Sequence, residues 1–344
     1  MSQKIKVAIT QMQVTPSPLH ERLHRAGKLV REAALQGAVL IVLPELFNTG
    51  YTYSDANFHS AREDGERTKT WMMQLSEECN IYLAGSFFFC ELNKIYNRLY
   101  LTAAHGKSWQ YDKTYPWGWE RAYFQPGNGI EIADTALGRI GLMLCWDVAH
   151  ADLWRQYAGK VDLILSCTCP PDIPAGLYCF PDGSQYGAGQ LGALFQSMQH
   201  SAVKVFVETP AQQCRWLGVP YISSTGSGTV NTFIPNPKGS FLGALFSKPS
   251  MVRKYSIANK LSIQAEMVEA ARVYNAKGVQ IAQLVNNAKD EITIAEIEIE
   301  KNTKEPVTKQ PAPNILRQVY WVSDFLLPMM SLGTYRRGLR KLIR

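Results

Sequence analysis

The run Ala38-Val-Leu-Ile-Val-Leu43 is the strongest constraint in this chain: six consecutive apolar residues that stop abruptly at Pro44-Glu45. A strand with one wet face alternates polar and apolar residues, whereas a strand with no alternation is covered on both faces. Gly138–Leu144, followed by Cys145-Trp146-Asp147, and Val161–Ser166 repeat the pattern. Lys6–Met12, Ile81–Phe89 and Ile95–Ala104 read as further strands.

Helical segments lie between them. Ser17-Pro18 reads as an N-cap and a first helical position, followed by Leu19, Leu23, Ala26, Val30, Ala33 and Ala34 at helical spacing, with Gly37 as the stop. Asp64–Cys79 and Ala151–Ala158 read as helices. Later, Thr229–Ile234, a turn at Asn236-Pro-Lys-Gly239, and Glu291–Ile299 suggest strands of a second sheet. Pro170–Gln199 reads as a loop followed by one helix, Ser223–Gly228 as a loop, and Met251–Asp290 as helical, an insertion between the last strands. Strands flanked by helices, with hairpins mixed in, imply a layered α/β protein with mixed sheets.

A chain of 344 residues, 46% apolar and 19% charged, buries a sizeable core. Its net charge of +7 is confined to one end. Residues 301–344 carry nine Lys and Arg against two acidic residues, leaving 27 of each sign in residues 1–300. A neutral body offers no electrostatic footprint for nucleic acid. The division is a domain over residues 1–300 and a basic, apolar tail over 301–344. Seven cysteines without repeated spacing do not form a disulfide framework. No leader pattern is seen at the start, and a reducing, cytoplasmic setting is expected. Cys167, Cys169 and Cys179 lack the partners of a zinc cage, so no metal and no cofactor is expected.

Three reactive residues stand where strands end: Glu45, Lys113 in Tyr111-Asp-Lys-Thr-Tyr115, and Cys145. In open α/β sheets sites gather at strand ends, and a cysteine opening a helix there is expected to favour its thiolate. A carboxylate, an ammonium and a thiol brought together are costly to desolvate for nothing.

These residues resemble a family. Leu43-Pro-Glu-Leu-Phe-Asn-Thr-Gly-Tyr51, Tyr111-Asp-Lys-Thr-Tyr-Pro-Trp-Gly-Trp-Glu-Arg-Ala-Tyr-Phe-Gln-Pro-Gly127 and Gly138-Arg-Ile-Gly-Leu-Met-Leu-Cys-Trp-Asp147 look like the three signatures of the carbon–nitrogen hydrolases, the nitrilase superfamily, in the right order. The resemblance implies a four-layer α-β-β-α sandwich that forms homodimers or larger homo-oligomers. It implies Glu45 as general base, Cys145 as nucleophile, Lys113 as oxyanion donor, and Glu120 as the second glutamate holding the lysine and substrate. Tyr51, Trp117 and Trp146 are candidate substrate contacts. The implied reaction is hydrolysis of a linear amide or carbamoyl group through a thioester. Nitrile hydrolysis, acyl transfer to an amine and a catalytically silent scaffold remain as alternatives.

The chain departs from the amidase pattern after Cys145. Ala149 stands where many branches have arginine, Ala151 where they have proline, and Asp152 where they have glutamate. The missing arginine weighs against an N-carbamoyl acid. Ala211-Gln-Gln-Cys214 is the nearest match to the acidic-amide pair of relatives. His150 invites a Cys–His dyad, but the predicted helix turns it away. The tail, apolar over Val319–Leu332 and basic over Tyr335–Arg344, has two readings: a membrane-surface anchor, or an arm across a subunit interface.

Overall fold

The computed structural model describes residues 2–199, 201–301 and 305–343. Among these, twelve strands pair into two mixed half-sheets. In the first, β1 (Ser2–Gln13), β2 (Leu40–Val42) and β3 (Tyr82–Glu91) run parallel. β4 (Lys94–Thr102) and β5 (Ser108–Asp112) extend it antiparallel, and β16 (Glu291–Glu300) lies antiparallel on β1. In the second, β7 (Gly138–Leu144), β8 (Leu163–Cys167) and β11 (Tyr221–Ser227) run parallel. β6 (Glu131–Thr135), β14 (Arg272–Tyr274) and β15 (Gln280–Gln283) add antiparallel edges. The halves join where Gln11–Gln13 pairs with Thr225–Ser227. A separate small sheet holds β9 (Leu177–Cys179), β10 (Gln185–Tyr186), β12 (Thr229–Phe233) and β13 (Ser262–Glu266).

The unalternating strands are explained by what covers them. Leu40 and Val42 point between the half-sheets, against Leu142, Leu144, Leu163 and Leu165. Ile41 and Leu43 point outward onto Ala26, Val30, Met72 and Leu75 of the helices Leu19–Leu35 and Gly65–Cys79. On the far side Met143 and Ile164 pack on Trp154, Tyr157, Cys214 and Leu217 of the helices Ala151–Tyr157 and Thr209–Leu217. The layers are therefore helix, sheet, sheet, helix. Each such side chain contributes about 1.5–3 kcal/mol of burial.

Several sequence expectations are corrected. Asn236–Gly239 is no hairpin turn, because Pro237 opens a helix, Pro237–Ser247. Met251–Asp290 is helical only in its first part, Pro249–Lys260, and then supplies β13, β14 and β15. In β13 the alternation of buried Ile263 and Ala265 with exposed neighbours is the strand signal that was missed. Ser223–Gly228 falls mostly in β11, where Ser224 is buried and its Oγ donates to Val42 O at 2.6 Å. Glu291–Ile299 joins β1 of the first half-sheet rather than a second sheet. Pro18, not Ser17, precedes the first helix, and Ser17 Oγ has no partner.

The tail folds back on its own chain as a C-terminal helix over residues 317–343. Its turns widen to π-helical geometry over Trp321–Leu326, just before Pro328, which has no N–H to give the ladder. Lys204–Glu208 widens the same way before Pro210. Among the described residues no helix is long and apolar enough to cross a membrane.

Candidate active site

Each reactive side chain is delivered by the turn that ends a strand. Glu45 follows β2, and its N–H donates to Thr168 O of the facing half-sheet at 3.2 Å. Lys113 follows β5, with its N–H on Asn97 O at 3.0 Å and its carbonyl accepting from Gly127 N–H at 2.7 Å. Any side chain at Gly127 would collide with Asp112 O, which is why the second motif ends in glycine. Cys145 follows β7 with φ 45°, a left-handed conformation that costs a non-glycine residue about 1–3 kcal/mol. Asp147 offsets that strain. Its buried carboxylate accepts from Leu144 N–H at 3.1 Å, Tyr115 N–H at 2.7 Å and Tyr111 O–H at 2.8 Å, tying the cysteine turn to the lysine loop. Burial pushes the Asp147 carboxyl up to about 7, with Lys113 and these donors opposing it.

The four reactive groups converge. Lys113 Nζ donates to Glu45 Oε1 at 2.8 Å and to both Glu120 oxygens at 2.9 and 2.7 Å, and Lys113 and Glu45 side chains are 0% exposed. Asn97 Nδ2 also donates to Glu45 Oε1, at 2.7 Å, while Glu45 Oε2 is buried with no hydrogen-bond partner. Glu120 Oε2 accepts from Trp117 N–H at 2.7 Å. Burial opposes the Lys113 ammonium, but Glu120 and Glu45 outweigh it and hold its pKa well above the ordinary lysine value. Burial, reinforced by Glu45, pushes the Cys145 thiol well above the ordinary cysteine value, although Lys113 pulls it down. The direction runs against the expected thiolate, because Cys145 opens only a five-residue turn, Cys145–Ala149, and burial with Glu45 and Glu120 outweighs Lys113.

Cys145 and Glu120 line one cavity of about 120 Å³ together with Tyr51, Trp117 and Trp146. Glu45 and Lys113 are not among its lining residues. His150 is elsewhere: its ring stacks on Tyr115 at 3.5 Å between centroids, and Nε2 lies 3.7 Å from Asp324. Gln213 is buried but donates to Pro311 O at 2.8 Å, so the sequence's nearest match to the acidic-amide pair secures the tail ahead of its helix. Cys167 and Cys169 are buried, and no three His, Cys, Asp or Glu among the described residues cluster as a metal cage would.

Sequence reasoning missed Asn97, Asp147 and the tail. Asn97 carried a legible signal, being a polar residue in register with Ile95 and Leu99 on the covered face of β4. Asp324 of the tail carried none. Its Oδ1 accepts from Trp146 Nε1 at 2.7 Å, and Tyr320 O–H donates to Ala149 O at 2.6 Å, so the C-terminal helix is fastened to the turn Cys145–Ala149.

A four-layer sandwich carrying a thiol, an ammonium and a carboxylate at its strand ends, with a second carboxylate from the short helix Gly118–Ala122, defines a nitrilase-type α/β protein. Residues 6–185 match the carbon–nitrogen hydrolase family model, and the chain belongs to that family. It is 31% identical over 161 residues to a nitrilase of Pyrococcus abyssi (45% of this chain, 61% of the relative). It is 32% identical over 168 residues to an omega-amidase of Xenopus laevis (46% and 60%). The chain thus spans about three-fifths of the length of these curated relatives. Its fold is similar to an amidase of Nesterenkonia sp. AN1 from the nitrilase superfamily, with TM-score 0.62 and 15% identity over 85% of this chain and 90% of that one. A carbon–nitrogen hydrolase of Helicobacter pylori G27 gives TM-score 0.59 and 18% identity over 86% and 89%.

Proposed function

We propose that the protein hydrolyses a linear amide through a thioester on Cys145. The observation that carries this is the buried Glu45 Oε2, which has no hydrogen-bond partner while Oε1 is pinned by Lys113 and Asn97, in a carboxylate near enough to raise the Cys145 thiol. Glu45 takes the thiol proton as Sγ bonds to the amide carbon. The oxyanion accepts from Lys113 Nζ, whose third N–H is released when Glu120 gives up one of its two contacts, and from the backbone N–H near Trp146. Such donors are commonly worth about 3–4 kcal/mol each. The C–N bond breaks as Glu45 returns its proton to the leaving nitrogen, and ammonia departs. Water then attacks the thioester, giving its proton to Glu45, and the carboxylic acid and thiol are released. The test is an intact-mass measurement of rapidly quenched enzyme alongside ammonia release. An acyl adduct on wild type and no ammonia from Cys145→Ala are expected; undiminished ammonia from the variant refutes the mechanism.

Nitrile hydrolysis is the second reading, supported by the likeness to the Pyrococcus abyssi nitrilase. The same thiol would add to the nitrile carbon. Comparing hexanenitrile with hexanamide discriminates: faster ammonia release from the nitrile selects this reading.

The outer face of the C-terminal helix supports contact with an anionic membrane surface. Trp321, Phe325 and Met329 recur every fourth residue and are exposed, and exposed Arg336, Arg337, Arg340 and Lys341 follow. Flotation with phosphatidylglycerol vesicles, weakened by salt and by Trp321→Ser with Phe325→Ser, is expected. Absence of flotation, or a homodimer that hides Trp321 from quenchers, overturns it.

A further inference from the structure

The cavity on Cys145 is walled almost entirely by carbon, and more than half of its lining residues lie outside residues 6–185. One side is the C-terminal helix, through Val319, Val322, Leu326 and Leu327. The facing side includes Val205 and Phe206. Both walls present the wide turns that precede a proline, Trp321–Leu326 and Lys204–Glu208, so chain irregularity is concentrated where the cavity is shaped. The bonds from Asp324 to Trp146 and from Tyr320 to Ala149 hold this wall in register with the nucleophile.

The charge inventory is equally specific. Among the described residues no Lys, Arg or His lines the cavity, and the single formal charge among them, Glu120, is already engaged by Lys113. A substrate carboxylate would be buried there beside a carboxylate and without a cation, which is strongly unfavourable. The cavity's size, about 120 Å³, is close to the roughly 150 Å³ apolar cavity that stays dry and accepts benzene.

We propose that the substrate is a neutral amide whose acyl group carries an apolar chain of about six carbons or a phenyl ring, and that the C-terminal helix is the specificity-determining wall. This rests on the amide-hydrolysis reading above. The acyl chain fills the space between Val322, Leu326 and Phe206, while the amide carbon sits at Cys145.

The experiment measures kcat/KM for ammonia release from acetamide, butanamide, hexanamide, 3-phenylpropanamide, succinamate and glutaramate with the full chain. Transfer of methylenes from water predicts about a fourfold rise per CH₂ up to six carbons. The two carboxylates are expected at least about 100-fold below neutral amides of equal length. Leu326→Lys, which brings an ammonium to the wall, is expected to lower hexanamide turnover at least about tenfold and raise that of glutaramate. Carboxylates that match or exceed neutral amides, or a profile flat in chain length, overturn the inference. Calorimetric titration of Cys145→Ala separates this from failure of the reaction itself. Binding of hexanamide but not glutaramate sustains the specificity even if no amide is turned over, and the reverse preference overturns it.

Discussion

Asn97 and Lys113 grip the same oxygen of Glu45, at 2.7 and 2.8 Å, and leave the other oxygen of that buried carboxylate with no partner. A carboxylate held on one side and bare on the other is oriented as a base, because both lone-pair directions of the bare oxygen remain available. The division of labour between two donors and one acceptor is the core of the proposed mechanism.

Removing the orienting amide tests it directly. Asn97→Leu leaves Glu45 with Lys113 alone, so kcat is expected to fall about 10–100-fold while KM changes little, as befits a residue that positions the base. Glu45→Gln should lose about 10³-fold or more. Equal KM and kcat losses in the Asn97 variant would instead point to a structural role.

Lys113→Met removes the cation from two buried carboxylates. A stability loss of about 3–5 kcal/mol is expected from urea unfolding, because an uncompensated buried charge is costly. Adding Glu45→Gln and Glu120→Gln should restore most of it, a non-additivity expected of a coupled cluster. If the triple variant is less stable than Lys113→Met, the lysine is not acting as counter-ion.

Cys145→Ala removes one sulfur and leaves the Lys113, Glu45, Glu120 and Asn97 contacts in place. Turnover should vanish, with the melting temperature within a few degrees of wild type; loss of the fold would show that the sulfur is needed for packing.

His150 reports on the tail contact through pH. Burial lowers its pKa to about 4 from 6.5, with Asp152 opposing and Asp324 3.7 Å from Nε2. Between those values the unfolded chain takes up a proton that the folded ring refuses. Its contribution is therefore whole above pH 6.5 and is lost as pH falls to about 4, amounting to about 3 kcal/mol. His150→Phe keeps a ring against Tyr115 and removes the titration. Unfolding free energies at pH 7 and 4.5 should fall less steeply in the variant; parallel slopes would disprove the assignment.

Much of the site was legible because its parts sit at strand ends announced by unbroken apolar runs. Leu40–Val42 ahead of Glu45 and Gly138–Leu144 ahead of Cys145 carry their own stop signals. The late strands were harder to read. β13 and β14 are short, and β11 is built of serines and a threonine rather than an apolar run, with Ser224 satisfied by a neighbouring strand at Val42 O. Such bonding leaves no periodic trace.

The chain's order of residues alone determined the layered α/β class and pointed to Glu45, Lys113 and Cys145, because strand coverage and local turn chemistry are properties of short segments, while Glu120 came from the family resemblance of its motif. Only the tertiary structure decided that Asn97 bonds Glu45, that burial and Glu45 push the Cys145 thiol up, and that Val319, Val322, Leu326 and Leu327 wall the cavity. Those facts depend on desolvation and on contacts between segments as far apart as Trp146 and Asp324, and neither is encoded in the spacing of neighbours.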